Sequence, residues 1–263
     1  MSTAADTRPV VREDRGPITI LRLNRGKANA LDVRLLGAFA SALDVVAHDG
    51  HRAIVLTAEG PIFSAGVDLF KVLEGGDTYV TELLPLLDRV LQRLFWYPRP
   101  VVAAINGHAI AGGCVLASAC DHRIMADGPA TIGVPELRVQ VPFPSSAIEI
   151  LRFAVAHAHF QELVYLGRTY SVGEARDRGL VDEVVPSAEL LERACAAAER
   201  LHAIPPKGFW LTKRQLRWSA RQRMQDGATR TEADVTALWL APETRAAIAR
   251  YVEDRLGSGS HNV

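Results

Sequence analysis

Cysteine is scarce in this chain: 263 residues hold three, Cys114, Cys120 and Cys195. The number is odd and no two stand in CxxC spacing, so neither a disulfide framework nor a thiolate zinc site is expected. Reduced thiols point to a cytoplasmic protein. An excess of either charge is also missing. Lys and Arg together number 30, Asp and Glu 30, for a formal net charge of zero. That balance argues against a nucleic-acid partner while leaving room for a local basic patch against a phosphorylated ligand. No uninterrupted apolar run reaches the ~18 residues of a membrane span, so no membrane partner is expected. Met1 to Asp14 mixes Asp6, Arg8, Arg12, Glu13 and Asp14 with small residues. Without an apolar stretch it does not read as a secretory signal, and its start reads as a loose tail of about eight residues. G-x-S-x-G is absent, which removes the serine-hydrolase elbow. His157 and His159 stand two apart on a predicted helix, on different faces, which disfavours a metal site.

What the chain has in quantity is apolar residues, 48% of the total, enough for one large domain or a domain with an appendage. Val10 to Arg12 and Ile18 to Leu23 read as a hairpin about Asp14-Arg15-Gly16. Asp32 reads as an N-cap before a stripe of Leu35, Leu36, Phe39, Leu43 and Val46. Ala53 to Leu56 and Val101 to Ile105 read as buried strands. Between them, Gly75-Gly76-Asp77 marks a break before a long amphipathic helix, in which Pro85 should occupy the first turn or cause a kink. Further strands are expected at His122 to Met125, Thr131-Ile132 and Val181 to Val185. Ser171-Val172-Gly173-Glu174 is a capping box. After Pro205-Pro206 the chain reads as two or three helices, and three of its four tryptophans lie there. The expected class is α/β, with a core over 1–204 and a C-terminal helical region over 205–263 that buries a large apolar face.

Two turns of small residues carry the chemistry. Phe63-Ser64-Ala65-Gly66-Val67-Asp68 follows the first buried strand, and Asn106-Gly107-His108-Ala109-Ile110-Ala111-Gly112-Gly113-Cys114 follows the second. Glycine lets main-chain amides approach a ligand without a Cβ in the way. Two such turns can aim two N–H groups at one oxygen, the construction of an oxyanion hole. The second turn also approximates G-x-G-x-x-G. Its middle glycine is missing and no acidic residue follows where a ribose would need one, so a dinucleotide site is disfavoured. His108 reads as a supporting histidine in the turn rather than a reacting one.

Asn29-Ala30-Leu31, Phe63 to Leu69, Pro100 to Gly107, Gly112-Gly113-Cys114, Cys120-Asp121 and Pro135-Glu136 occur in the order and spacing of one family. Together they resemble the crotonase superfamily of enoyl-CoA hydratases and isomerases, from about Ile18 to about Pro186 and more weakly to Leu256. The resemblance implies a crotonase-like spiral of ββα units and C-terminal helices that help build homotrimers or homohexamers. It implies an acyl-CoA substrate, with coenzyme A part of the substrate and no separate cofactor. The oxyanion-hole donors would be the amides of Val67 and Gly112, each worth roughly 2.7–4 kcal/mol in the transition state. Lys27, Ala28, Ala65 and Asp68 would lie along the CoA moiety.

The acids separate the reactions. Hydratases of this family use two glutamates to hold a water. One follows the Gly-Gly-Cys turn, where this chain has Val115; the other lies in the Pro-Glu segment, where it has Glu136. Taken alone, Glu136 reads as a solvated loop carboxylate; the resemblance makes it the acid/base. One carboxyl suffices to move a proton from C2 to C4, and an apolar wall including Val115 would raise its pKa. Val141-Pro142-Phe143-Pro144 resembles the apolar turn of mitochondrial-type isomerases and places Phe143 in the pocket. The leading expectation is a Δ3,Δ2-enoyl-CoA isomerase. A hydratase or another acyl-CoA enolate reaction such as decarboxylation, and an acyl-CoA-binding protein without catalysis, are the alternatives.

Overall fold

The computed structural model describes residues 8–49 and 52–256; most of the expected N-terminal tail lies outside them. Strands β1 (Val10–Arg15) and β2 (Ile18–Leu23) form the expected hairpin about Gly16, whose φ of 54° a glycine adopts without strain. Helix α1 (Val33–His48) starts at Asp32, whose carboxylate accepts the Leu35 amide at 2.6 Å. Its stripe of Leu35, Leu36, Phe39, Leu43 and Val46 is buried. There follow β3 (Ala53–Ala58), β4 (Ile62–Ser64), α2 (Leu69–Phe95), β5 (Val101–Ile105), β6 (His108–Ile110), α3 (Gly112–Ser118), β7 (His122–Ala126) and β8 (Thr131–Gly133). The chain continues with α4 (Ser145–Ala154), α5 (His157–Leu166), β9 (Thr169–Ser171), α6 (Val172–Asp177), β10 (Glu183–Val185) and α7 (Leu190–His202). It ends in α8 (Pro206–Arg230), α9 (Glu232–Leu240) and α10 (Pro242–Tyr251).

The strands make two sheets, one ordered β1-β2-β3-β5-β7-β10 and one β4-β6-β8-β9. Each turn of the spiral lays a long strand in the first sheet, a short parallel strand in the second, and then a helix: β3-β4-α2 and β5-β6-α3 repeat the unit. The α/β fold class and its ββα spiral are thus present. Strands β3 and β5 are buried throughout, as parallel strands covered on both faces must be. Their side chains alternate. Val55, Val102 and Ala104 meet Ala194, Ala197 and Ala198 of α7, while Ile54, Leu56, Val101 and Ala103 enter the larger core.

Helix α2 departs from expectation. Glycine 76, at φ 56° and ψ −145°, is its one non-helical residue, so the break at Gly75-Gly76 is a kink between two helical segments. Pro85 lies well inside the second segment and disturbs no dihedral angle. The amide it lacks would have bonded the carbonyl of Thr81, a residue on the exposed side of the helix.

Helix α8 is tied to the core by a buried ion cluster. Lys213 Nζ donates to Asp121 at 2.7 Å and Arg217 meets the other carboxylate oxygen at 3.0 Å. The Arg217 guanidinium also lies 4.1 Å from the Phe95 ring centre and donates to main-chain oxygens of Phe95, Ala119 and Cys120. Burial lowers the Lys213 pKa to about 8. The C-terminal aromatics are divided: Trp239 is buried, Trp218 is 49% exposed. Among the described residues no helix is long and apolar enough to cross a membrane.

Candidate active site

The two glycine turns meet back to back. A Cβ added at Gly66, where φ is 83°, would fall 2.6 Å from the Ala111 Cβ and 3.1 Å from the Gly112 amide nitrogen. One added at Gly112 would fall 2.8 Å from the Leu31 side chain and 4.0 Å from the Val67 amide nitrogen. Only bare glycine backbone brings the Val67 and Gly112 amides into one neighbourhood. Leu31 takes the flanking groups of Val67: its amide donates to Gly66 O at 2.7 Å and its carbonyl accepts Asp68 N at 3.1 Å. The Val67 N–H therefore points the other way along the bridge. Gly112 is the first residue of α3, where an amide has no partner within the helix. Neither amide donates in the described turn and loop bonds.

Asn29 holds the first turn in place. It is fully buried, sits at φ 46°, and its Nδ2 donates to Glu59 O at 2.9 Å and Ile62 O at 2.8 Å. Asparagine is among the few residues that tolerate this backbone. Ser64 Oγ closes the turn by donating to Asn29 O at 2.8 Å. Ala111, before α3, stands at φ 54° and ψ −127°. For a non-glycine residue that is strained, and it lies at the edge of the site.

These turns open into a pocket of about 740 Å³, counted out to its mouth. Glu136, Val67, Gly112, Ala65, Val115 and Phe143 line it together. Lys27, Ala28 and Asp68 do not. Lys27 is exposed, Ala28 accepts the Ala65 amide at 3.0 Å, and Asp68 caps α2 by accepting Lys71 N at 3.2 Å. His108 Nδ1 pairs with Thr131 at 3.1 Å, away from the pocket, as a supporting histidine would. Leu69, Leu87 and Leu91 from α2, and Trp239 and Tyr251 from the C-terminal helices, complete the wall. The sequence predicts apolar-faced helices after Pro205 but gives no sign that Trp239 and Tyr251 belong to this pocket. Helical periodicity shows which residues face inward, not what they face.

Among the described residues, Glu136 is the only carboxylate in that lining. It opens a 3₁₀ turn, Glu136–Val139, and its Oε2 is buried without a hydrogen-bond partner. Burial among apolar side chains penalises the carboxylate and pushes its pKa up to about 8. Val115 is 1% exposed. Cys114 is wholly buried, and burial, with the Glu136 charge adding to it, pushes its thiol up to about 12, which excludes thiolate chemistry. The arrangement offers two unpaired amides for an oxyanion and one weakly acidic carboxyl facing apolar space. Among the described residues no cluster of His, Cys, Asp or Glu could hold a metal.

Comparison with known proteins agrees with this geometry. Over residues 13–257 the chain matches the family described as enoyl-CoA hydratase/isomerase. It is 33% identical over 213 residues to the mouse mitochondrial enoyl-CoA delta isomerase 1, covering 79% of this chain and 74% of that one. It is 34% identical over 224 residues to a putative enoyl-CoA hydratase of Thermus thermophilus, covering 83% and 87%. The crystal structure of human mitochondrial delta3-delta2-enoyl-CoA isomerase superposes with a TM-score of 0.90 at 26% identity, covering 96% of this chain and 99% of that one. A two-amide pocket built on a ββα spiral, with a sequence match along nearly its whole length, makes this chain a member of the enoyl-CoA hydratase/isomerase family of the crotonase superfamily.

Proposed function

We propose that the chain is a Δ3,Δ2-enoyl-CoA isomerase. The observation that carries this reading is the solitary carboxyl: Glu136 lines the pocket, and the apolar Val115 occupies the position where family hydratases keep their second acid. In the reaction, ionised Glu136 removes a proton from C2 of a 3-enoyl thioester. The electron pair moves toward the thioester oxygen, and the Val67 and Gly112 amides donate to the dienolate oxygen as its charge grows. The same carboxyl, now protonated, returns the proton at C4, leaving a 2-enoyl thioester. Electrons and protons balance within substrate and Glu136, so coenzyme A is needed only as part of the substrate.

The apolar wall serves both steps. It keeps the Glu136 proton affinity high, which makes a stronger base. It also keeps water from the dienolate, and Val115 has no group to hold a water for addition. Lys27 and Ala28, beside the first turn, and Ala65 and Asp68, within it, are proposed to border the CoA moiety.

The test is turnover of 3-hexenoyl-CoA to the conjugated 2-enoyl thioester by the purified full chain. Glu136→Gln should lose a factor of about 10²–10⁴, the usual worth of a positioned acid/base. Full activity in that variant overturns the base assignment. Hydration of crotonyl-CoA faster than this isomerisation would make the chain a hydratase, and acyl-CoA binding without turnover would make it a binding protein.

A further inference from the structure

The segment between Glu136 and α4 cannot hold itself. After the 3₁₀ turn, closed by Val141 N donating to Glu136 O at 3.1 Å, Gln140 stands at φ 58° and Val141-Pro142-Phe143-Pro144 has no regular structure. Two of those four residues are prolines without an N–H, so the stretch has few donors to give a neighbouring sheet or helix. Its carbonyls and its end are taken instead by the C-terminal helices. Thr244 Oγ1 of α10 donates to Gln140 O at 3.4 Å, and Trp239 Nε1 of α9 donates to Pro142 O at 3.2 Å. Glu232 of α9 accepts Ser145 N at 3.3 Å and Ser145 Oγ at 2.9 Å. Helix α8 adds an ion pair of 2.6 Å from Arg223 to the buried Glu149 of α4. It also lies so close that a Cβ on Gly227 would fall 2.7 Å from Ser145 Oγ. Thr244 is fully buried and Trp239 is 5% exposed, so water does not compete for these bonds.

We propose that Thr244 and Trp239 are positioning residues for Glu136: α9 and α10 clamp the loop that carries the base, so proton transfer rather than substrate binding depends on them. The inference rests on Glu136 being the base. Thr244 does not line the pocket, so it touches substrate only through the loop. Trp239 does both, holding the Pro142 carbonyl with its N–H and facing the cavity with its ring.

The test uses the full chain with Thr244→Val, which keeps the shape and loses the hydroxyl, and Trp239→Phe, which keeps a ring and loses the N–H. Thr244→Ser, which keeps the hydroxyl, is the rescue. Turnover is followed for whichever of 3-hexenoyl-CoA isomerisation and crotonyl-CoA hydration the wild type performs faster. Because a base displaced by a fraction of an ångström loses its alignment, kcat should fall roughly tenfold or more in Thr244→Val and Trp239→Phe, and in Thr244→Val, whose residue does not line the pocket, KM for the acyl-CoA should stay within about twofold. Thr244→Ser should keep near-wild-type kcat. If Thr244→Val does not fold, Trp239→Phe and Thr244→Ser carry the comparison. Unchanged kcat with a lowered thermal midpoint would reduce the clamp to scaffolding, and a raised KM with intact kcat would make the helices an acyl-binding wall; either result overturns the proposal. Glu136→Gln measured alongside separates the two readings. If it is inactive while the clamp variants turn over normally, only the clamp falls. If it is fully active, or the wild type turns nothing over, base and clamp fall together.

Discussion

Glu136 binds its proton far more tightly in the folded chain than in the unfolded one, near 8 against 4.5. Below pH 4.5 both states carry the proton and stability is unaffected. Between those values the native state holds a proton that the unfolded state has released, so stability falls as pH rises, and beyond about 8 the loss is complete. Glu136→Gln is neutral throughout and escapes this. Its thermal midpoint should gain on the wild type progressively from pH 4.5 to about 8 and then hold a constant lead; a lead that does not change with pH would show that the carboxyl is solvated. With Glu136 as the proposed base, activity runs the opposite way, because a base must be ionised to work: kcat/KM should climb with pH through about 8. Ala111 offers a second residue-scale test. Glycine in its place relieves a strain of about 1–3 kcal/mol and adds ~0.5–1 kcal/mol of unfolded-state entropy, so urea titration of Ala111→Gly should show a net gain of about 1 kcal/mol. The residues at the turns were legible because fixed spacing ties them to main-chain geometry. Trp239, Tyr251 and Thr244 were not, since their partners lie about a hundred or more residues away and leave no local trace.

Length helped an element to be legible, although β8 and β10, of three residues each, were read as well, from short β-branched runs. The six-residue β2 and β3 and the helix α1 announce themselves through burial patterns that repeat over several residues. Strands β4, β6 and β9 have three residues each, too few for an alternation to register, and the first two lay hidden inside what the sequence offers as turns. They matter more than their length implies, because the short sheet sets the spacing between the glycine turns. Gly113 shows how tight that spacing is: a Cβ there would fall 2.4 Å from Ser64 O and 2.8 Å from Ser64 Cβ. Gly113→Ala must push α3 away from β4. It should cost about 1–3 kcal/mol in denaturant titration, as overpacked sites do. It should also lower turnover, because Gly112 moves with the helix while Val67 does not. Wild-type activity in Gly113→Ala would mean that the two amides need not share one oxygen.

At the scale of the whole molecule, the C-terminal helices belong to the core's electrostatics as much as to its surface. Among the described residues, Asp121 is the one carboxylate ion-paired to the two buried cations Lys213 and Arg217. Asp121→Ala leaves both without a counter-charge and should cost about 3–5 kcal/mol in equilibrium unfolding. A loss below ~1 kcal/mol would mean that water reaches the cluster. The outer side of α8 is different: Leu211 and Trp218, seven residues apart and so on one face, are 54% and 49% exposed. The trimer or hexamer that family resemblance leads one to expect would cover such a face. Sedimentation of the purified chain should return that mass, and a monomer would remove the expectation. The pocket wall itself joins Ala65 and Val67 to Trp239 and Tyr251, which lie far apart in the chain. Until α9 and α10 dock, the cleft beside the two glycine turns stands open to water on one side. A chain folded without α9 and α10 would still carry Glu136 and both amides but would leave them wet, so the dryness of the cleft is a property these two helices confer.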